Sequence, residues 1–211
     1  MITSIHDFSF EEDTHTYTHA GKSCKSVTGL LKQYGFIDYS FVKPGLLERK
    51  RVLGKDVHGW TACYDITGND DMLSLPEEGE GYARAWMKFR RESGFFQILE
   101  VEKPIMGRIY GVPIAGTPDR ELLYRRTKRI TADLKCCVTA MPWWKVQTAS
   151  YRMMRDRKCH LNGGERCSIQ LFPDGTYDVL WYTDPTDGDA FLAMVALEAW
   201  KSNHGVKEPK G

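Results

Sequence analysis

The residues best suited to chemistry lie between Gly116 and Lys135, in GTPDRELLYRRTKRITADLK. Leu122, Leu123 and Tyr124 precede a polar run, Arg125 to Arg129, and an Ile-Thr-Ala pattern follows, so the stretch reads as two strands joined by a basic turn. Residues two apart on a strand share a face, which puts Asp133 and Lys135 together and turns Leu134 into the opposite layer. If the turn centres on Arg126, Asp119 sits opposite Asp133, and facing Cβ atoms in such a pair are roughly 5 Å apart. Two carboxylates that close repel, and each rises in pKa unless a positive charge lies between them. A hard divalent cation answers that need: Mg²⁺ takes one or two carboxylates, keeps several waters and completes its shell with phosphate oxygens. A lysine beside it stabilises developing negative charge. The chemistry implied is hydrolysis of a phosphodiester.

The elements needed to position this set are legible on either side. Pro44 suits the first turn of a long helix. Leu46, Leu53, Val57, Trp60 and Tyr64 recur along it as a buried stripe, with His58 beside them. Asn69 to Glu80 reads as an acidic loop, Gly81 to Arg91 as a helix, and Phe95 to Lys103 as a strand offering Ile98, Glu100 and Glu102 to the interior or the site. Gly107 to Val112 leads into the Gly116 strand, where Gly116 and Pro118 fit a bent segment that opens room for a phosphate backbone. Pro142 opens a helix to Arg155 with Gln147, Tyr151 and Met154 on one face. Trp143 and Trp144 begin that helix, where exposed rings could stack on unpaired bases, although buried indoles are the commoner case. Pro173-Asp-Gly175 turns a hairpin of Arg166 to Phe172 with Thr176 to Tyr182, and a last helix runs from near Thr186 through Trp200 to a frayed tail. Ahead of all this, Phe8 to Thr18 reads as a hairpin with its tip at Glu11 to Thr14, and Ser26 caps a short helix ending at Gly35.

Asp119, Asp133 and Lys135, in Gly116-Thr-Pro-Asp119 and Asp133-Leu-Lys135, followed by Gln147 and Tyr151, resemble the PD-(D/E)XK nuclease superfamily and within it the RecB-like and phage-type exonuclease branch. The resemblance implies that Asp119 and Asp133 are the metal-binding acids, that Lys135 is the catalytic lysine, and that Gln147 and Tyr151 serve the catalytic site. It also implies the Leu134 carbonyl as a metal ligand, matches Gly54-Lys-Asp-Val-His58 to a motif whose histidine binds the metal, and makes Glu102 a candidate ligand on the preceding strand. The implied cofactor is Mg²⁺ or Mn²⁺. The implied fold is α/β, an α+β mixed sheet with a restriction-endonuclease-like αβββαβ core, an N-terminal hairpin and added helices. One nuclease domain is expected over 1–211, with a hairpin and helix cover at 1–40, the core at 41–182, and a C-terminal helix and tail at 183–211. The expected function is a metal-dependent DNA exonuclease. The alternatives are a structural DNA-binding or repair-complex subunit with the same fold, or an endonuclease or junction resolvase.

Composition agrees with a globular protein: 42% hydrophobic, 12% aromatic and 27% charged over 211 residues. A net charge of +1 hides strong segregation. Arg120 to Lys158 holds eleven Lys or Arg against three acids, while Asp65 to Gly81 and Pro173 to Trp200 each hold six acids and no Lys or Arg. Positive charge is thus gathered around the proposed site, where a polyanion needs neutralising. DNA is the expected ligand and a recombination factor an expected protein partner. No apolar run reaches the roughly 20 residues of a membrane span, and the N-terminus lacks a signal-peptide layout, so a cytoplasmic location in a bacterial or phage-infected cell is expected. Six cysteines without a Cys-x-x-Cys pair read as reduced thiols. Cys24, Cys159 and Cys167 invite comparison with the iron–sulfur members of the RecB-like group, but the late cluster spacing is missing.

Overall fold

The structure, a computed structural model, describes residues 7–11, 14–94, 96–155 and 165–206. Phe95 at the start of one expected strand, the hairpin-tip residues Glu12 and Asp13, Cys159 and the last residues of the tail lie outside them. The described residues form a mixed α+β fold with mixed sheets and five helices.

A three-stranded antiparallel meander comes first: β1 (Phe8–Glu11), β2 (Thr16–His19) and β3 (Lys22–Ser23). Tyr17 is buried between Phe8 and Phe10, with ring centroids at 6.2 and 4.7 Å. After the short β4 (Lys25–Ser26), α1 (Val27–Gln33) begins where Ser26 Oγ accepts the Gly29 N–H at 3.0 Å, one of the donors a helix start leaves unpaired. α2 (Pro44–Thr67) opens on Pro44 and closes on Gly68, whose φ of 74° suits glycine. Its buried stripe is Leu53, Val57, Trp60 and Thr61. Leu46, expected in that stripe, is 49% exposed, because the first turns of α2 run past the edge of the core.

α3 (Glu77–Glu92) starts four residues earlier than the composition of the acidic stretch suggests. Glu77, Glu78 and Glu80 fill its first turn and Arg90 and Arg91 its last, so the charges that resembled a loop complement the helix dipole at both ends. Beyond it lie β5 (Phe96–Val101), β6 (Ile105–Ile109), β7 (Val112–Gly116), β8 (Arg120–Tyr124), β9 (Lys128–Lys135), α4 (Trp143–Arg155), β10 (Arg166–Leu171), β11 (Tyr177–Trp181) and α5 (Thr186–Asn203).

The central sheet has the order β11-β10-β9-β8-β5. Only β9 and β10 are parallel in it, and α4 belongs to the crossover that a parallel pair requires. The sequence from α3 through β5, β8, β9 and α4 to β10 follows the expected αβββαβ order, but β6 and β7 interrupt it. They pair with each other, and β7 also pairs with β4, in a separate three-stranded sheet. The supposed continuous strand into the hairpin therefore breaks after Gly116, and Thr117, Pro118 and Asp119 carry the chain from one sheet to the other. Pro118, without a backbone N–H, suits a position outside either ladder.

The central sheet separates two different layers. Leu122, Ile130, Ala132, Leu134, Ile169 and Leu171 pack into the main core with Val57, Trp60, Trp86 and Phe89 from α2 and α3. The alternate residues Glu121, Thr131, Asp133, Ser168 and Gln170 are buried as well, on the opposite face. A second apolar cluster joins α1, α4, α5 and β7 through Leu30, Ile114, Val146, Tyr151 and Phe191.

Candidate metal centre

The β8–β9 ladder runs from Tyr124↔Lys128 to Arg120↔Ala132, so the turn centres on Arg126 and Asp119 leaves β8 at the position facing Asp133. Asp119 Oδ2 accepts the backbone N–H of Leu134 at 2.6 Å, which fixes the carboxylate against β9. Lys135 pairs through Nζ with Asp133 Oδ2 and donates to Gln147 Oε1 at 2.8 Å. Gln147 Nε2 in turn donates to the Tyr151 hydroxyl at 3.0 Å. The ammonium also lies 4.7 Å from the centroid of the Trp143 ring, a cation–π contact that helps hold it in the site. Trp144, which could have been an exposed stacking ring, is buried at 1% exposure.

Two further groups reach the same place from other elements. His58 on α2 presents Nδ1 to Asp119 Oδ1 at 3.2 Å. Glu102 follows β5 with a left-handed backbone, φ 41°, and its N–H donates to the Asp119 carbonyl at 2.9 Å. One ligand atom each from His58, Glu102 and Asp119 can be chosen so that all lie within 4.8 Å of one another. A glutamate held in a sparsely populated conformation at such a spot fits the pattern of backbone strain concentrated at functional sites. Asp133 stands beside this trio rather than in it, engaged by Lys135. Leu134 meets the site through its N–H, and the ligand role of its carbonyl rests on the resemblance alone.

The electrostatics follow from burial and pairing. Burial pushes the Asp119 carboxyl up, but the His58 imidazolium and then Lys135 and Arg120 outweigh it and hold Asp119 below the usual carboxylate range. Burial pushes Asp133 the same way, Lys135 opposes it, and the neighbouring Asp119 charge adds to it, so Asp133 is raised. Burial lowers His58, and the Asp119 charge reverses this and leaves it raised. Burial and then the Asp133 charge raise the Tyr151 phenol, keeping it protonated. Asp119 is thus pushed down and Asp133 pushed up, as expected of two buried acids that share neighbouring cations.

Sequence reasoning missed the frame behind Asp119. Arg120 is fully buried and donates to Asp65 Oδ2 at 2.7 Å, to Thr61 Oγ1 at 3.1 Å and to the Asp119 carbonyl at 2.7 Å. Asp65 also pairs with Arg90 at 3.0 Å and takes the Trp86 indole N–H at 3.3 Å. The acidic composition between Asp65 and Gly81 made Asp65 look solvated. The signal against that was its spacing, four residues after Thr61 and eight after Val57, on the buried stripe.

Two contacts hold the loop from the other side. Tyr17 places its hydroxyl 2.8 Å from Thr117 Oγ1, so the N-terminal meander touches the residues between Gly116 and Asp119. Gly116 lies against Tyr151, where a Cβ would come within 2.5 Å of Cε1.

No family model matches the sequence, and no curated protein matches it. Among solved structures, a Eubacterium rectale protein provisionally named an exonuclease is similar at 13% identity and a TM-score of 0.47, over 86% of this chain and 75% of its own. The structure of SSO0001 is similar at 13% identity and a TM-score of 0.38, over 60% of this chain and 59% of its own.

Proposed function

We propose that the chain is a divalent-metal-dependent deoxyribonuclease that hydrolyses phosphodiester bonds, acting as an exonuclease of the phage or recombination-repair type. The observation that carries this reading is the convergence of His58, Glu102 and Asp119 beside the Asp133–Lys135 pair, from four separate elements of the fold. The exonuclease assignment within that reading draws on the motif resemblance.

The donor set fits the implied metal. Carboxylate oxygens suit Mg²⁺, and an imidazole nitrogen adds tolerance for Mn²⁺. Asp119, His58 and Glu102 would hold the ion, with Asp133 and the Leu134 carbonyl completing the set. Bound there, the ion would neutralise phosphate charge and make water a stronger nucleophile. The remaining work falls to the chain's own groups. Lys135, aimed by Asp133 and Gln147, meets negative charge growing on a phosphate oxygen. Tyr151 anchors Gln147 so that the ammonium keeps one direction. The buried Arg120–Asp65 pair keeps Asp119 in place from behind.

End-labelled single- and double-stranded DNA digested with Mg²⁺ or Mn²⁺ tests the reading. The expected products shorten from an end and vanish with EDTA. DNA intact under both metals sinks it, and nicking of closed circles would replace the exonuclease by an endonuclease.

A further inference from the structure

The β8–β9 hairpin turns at the end remote from Asp133. Its central residues, Arg125 and Arg126, both have left-handed backbones, φ 48° and 61°, and the Thr127 N–H donates to the Tyr124 carbonyl at 3.1 Å. A turn with two left-handed central residues is the usual place for Asn-Gly, because those residues enter that region with little steric conflict. Two arginines break that rule side by side. All of Arg125, Arg126, Lys128 and Arg129 are exposed, and no acid lies between Glu121 and Asp133. A locally unfavourable choice that gathers four cations on a protruding turn suggests that the cations serve a contact.

The turn borders an aromatic surface. The Arg125 guanidinium lies 5.1 Å from the centroid of the Tyr124 ring, and Tyr124 lies 5.5 Å from the Trp181 ring. Phe96 backs both, at 5.0 and 6.0 Å. Trp181, the last residue of β11, is 45% exposed. An indole open to solvent beside a run of cations is the composition that holds unpaired nucleic acid, with bases on the ring and phosphates on the cations. A duplex keeps its bases stacked on one another and offers the ring little.

We propose that the Arg125–Arg129 turn and Trp181 form a binding site for a single nucleic-acid strand, separate from the metal centre. Along β9 the turn, from Lys128, lies roughly 17 Å from Asp133, a span of a few nucleotides. The proposal takes the identity of its polymer from the nuclease reading, and its test is run without turnover.

The test is fluorescence anisotropy of a labelled oligothymidylate and of a labelled duplex in EDTA, with the full chain. In the double variant Arg125→Asn/Arg126→Gly the charges go while the turn becomes easier to form, so its melting temperature is expected at or above that of the wild type. Its affinity for oligothymidylate is expected to fall by about tenfold, and the slope of log K against log salt to flatten by about 1.4, the value for two phosphate contacts on a single strand. Trp181→Ala is expected to weaken oligothymidylate binding and leave duplex binding unchanged. Unchanged oligothymidylate affinity in the double variant, or equal losses on strand and duplex in Trp181→Ala, overturns the site. Strand binding that depends on these residues in a protein that cleaves nothing with Mg²⁺ or Mn²⁺ overturns the nuclease reading and leaves this one standing.

Discussion

Leu134 donates its backbone N–H to Asp119 Oδ2 at 2.6 Å, so the peptide joining Asp133 to Leu134 grips the carboxylate of the neighbouring strand. The acid on β9, the acid beside β8 and the lysine two residues on are thereby tied to one stretch of backbone. His58 and Glu102 come to this fixed point from α2 and from the end of β5. Asp133 and Lys135 sit on β9, while Asp119 and Glu102 lie just outside β8 and β5, so the ends of three strands hold these groups against one another.

The imidazole is the one nitrogen donor in the candidate trio. His58→Ala is expected to raise the Mn²⁺ concentration giving half-maximal hydrolysis by on the order of 10- to 100-fold, the loss typical when a metal site is stripped of a supporting group. Titration of initial rates against Mn²⁺ and Mg²⁺ checks it. Superimposable wild-type and variant curves remove His58 from the site.

Gly116 permits a close approach that no side chain allows. In Gly116→Ala the new Cβ would meet Tyr151 Cε1 at 2.5 Å and Val27 Cγ2 at 3.4 Å. Overpacking of that order costs about 1–3 kcal/mol, and the forced shift of Tyr151 disturbs Gln147 and through it Lys135. Urea unfolding should show the lower midpoint, and hydrolysis should fall with it. An unchanged midpoint contradicts the packing.

Glu198 on α5 joins its helix to α1 and β4. Gln33 and Tyr34 donate to Oε1 at 2.8 and 2.5 Å, and Lys25 and Lys201 pair with the carboxylate at 3.0 and 3.1 Å. Burial opposes ionisation, but the hydrogen bonds from Tyr34, Lys25 and Lys201 outweigh it and bring the pKa down to about 2. A depressed carboxyl contributes stability that is complete above its ordinary pKa, near 4.5, and lost as pH falls through that value toward 2. Urea midpoints between pH 7 and pH 2.5 should therefore fall less in Glu198→Gln than in the wild type. At pH 7 the variant should be less stable by about 2 kcal/mol. Parallel pH profiles for the two proteins would show that folding leaves the Glu198 pKa where it is in the unfolded chain.

Much of this arrangement could be read from the sequence because it is local. The turn at Arg126 fixes the register, and the register puts Asp119 opposite Asp133. Gln147 and Tyr151 follow from helical spacing. The separate β4-β7-β6 sheet was not legible, since Lys25 pairs with Ile114 across a long stretch of chain and neither short strand signals its partner. Asp65 and Arg120 were missed for a related reason. A buried ion pair between distant elements has the composition of a solvated surface, and only the helical stripe could separate the two. The left-handed arginines at 125 and 126 break the turn rule that would have exposed them.

The central claim is that Asp119, Asp133 and Lys135 act on one phosphodiester. Its most direct test is hydrolysis of end-labelled DNA in Mg²⁺ by the wild type, Asp133→Asn and Lys135→Ala, with binding to the same DNA measured alongside. The account predicts metal-dependent cleavage by the wild type and a loss of at least ~100-fold in each variant. DNA binding should be largely intact in Lys135→Ala, and metal binding lost in Asp133→Asn. Cleavage by either variant at the wild-type rate would contradict it.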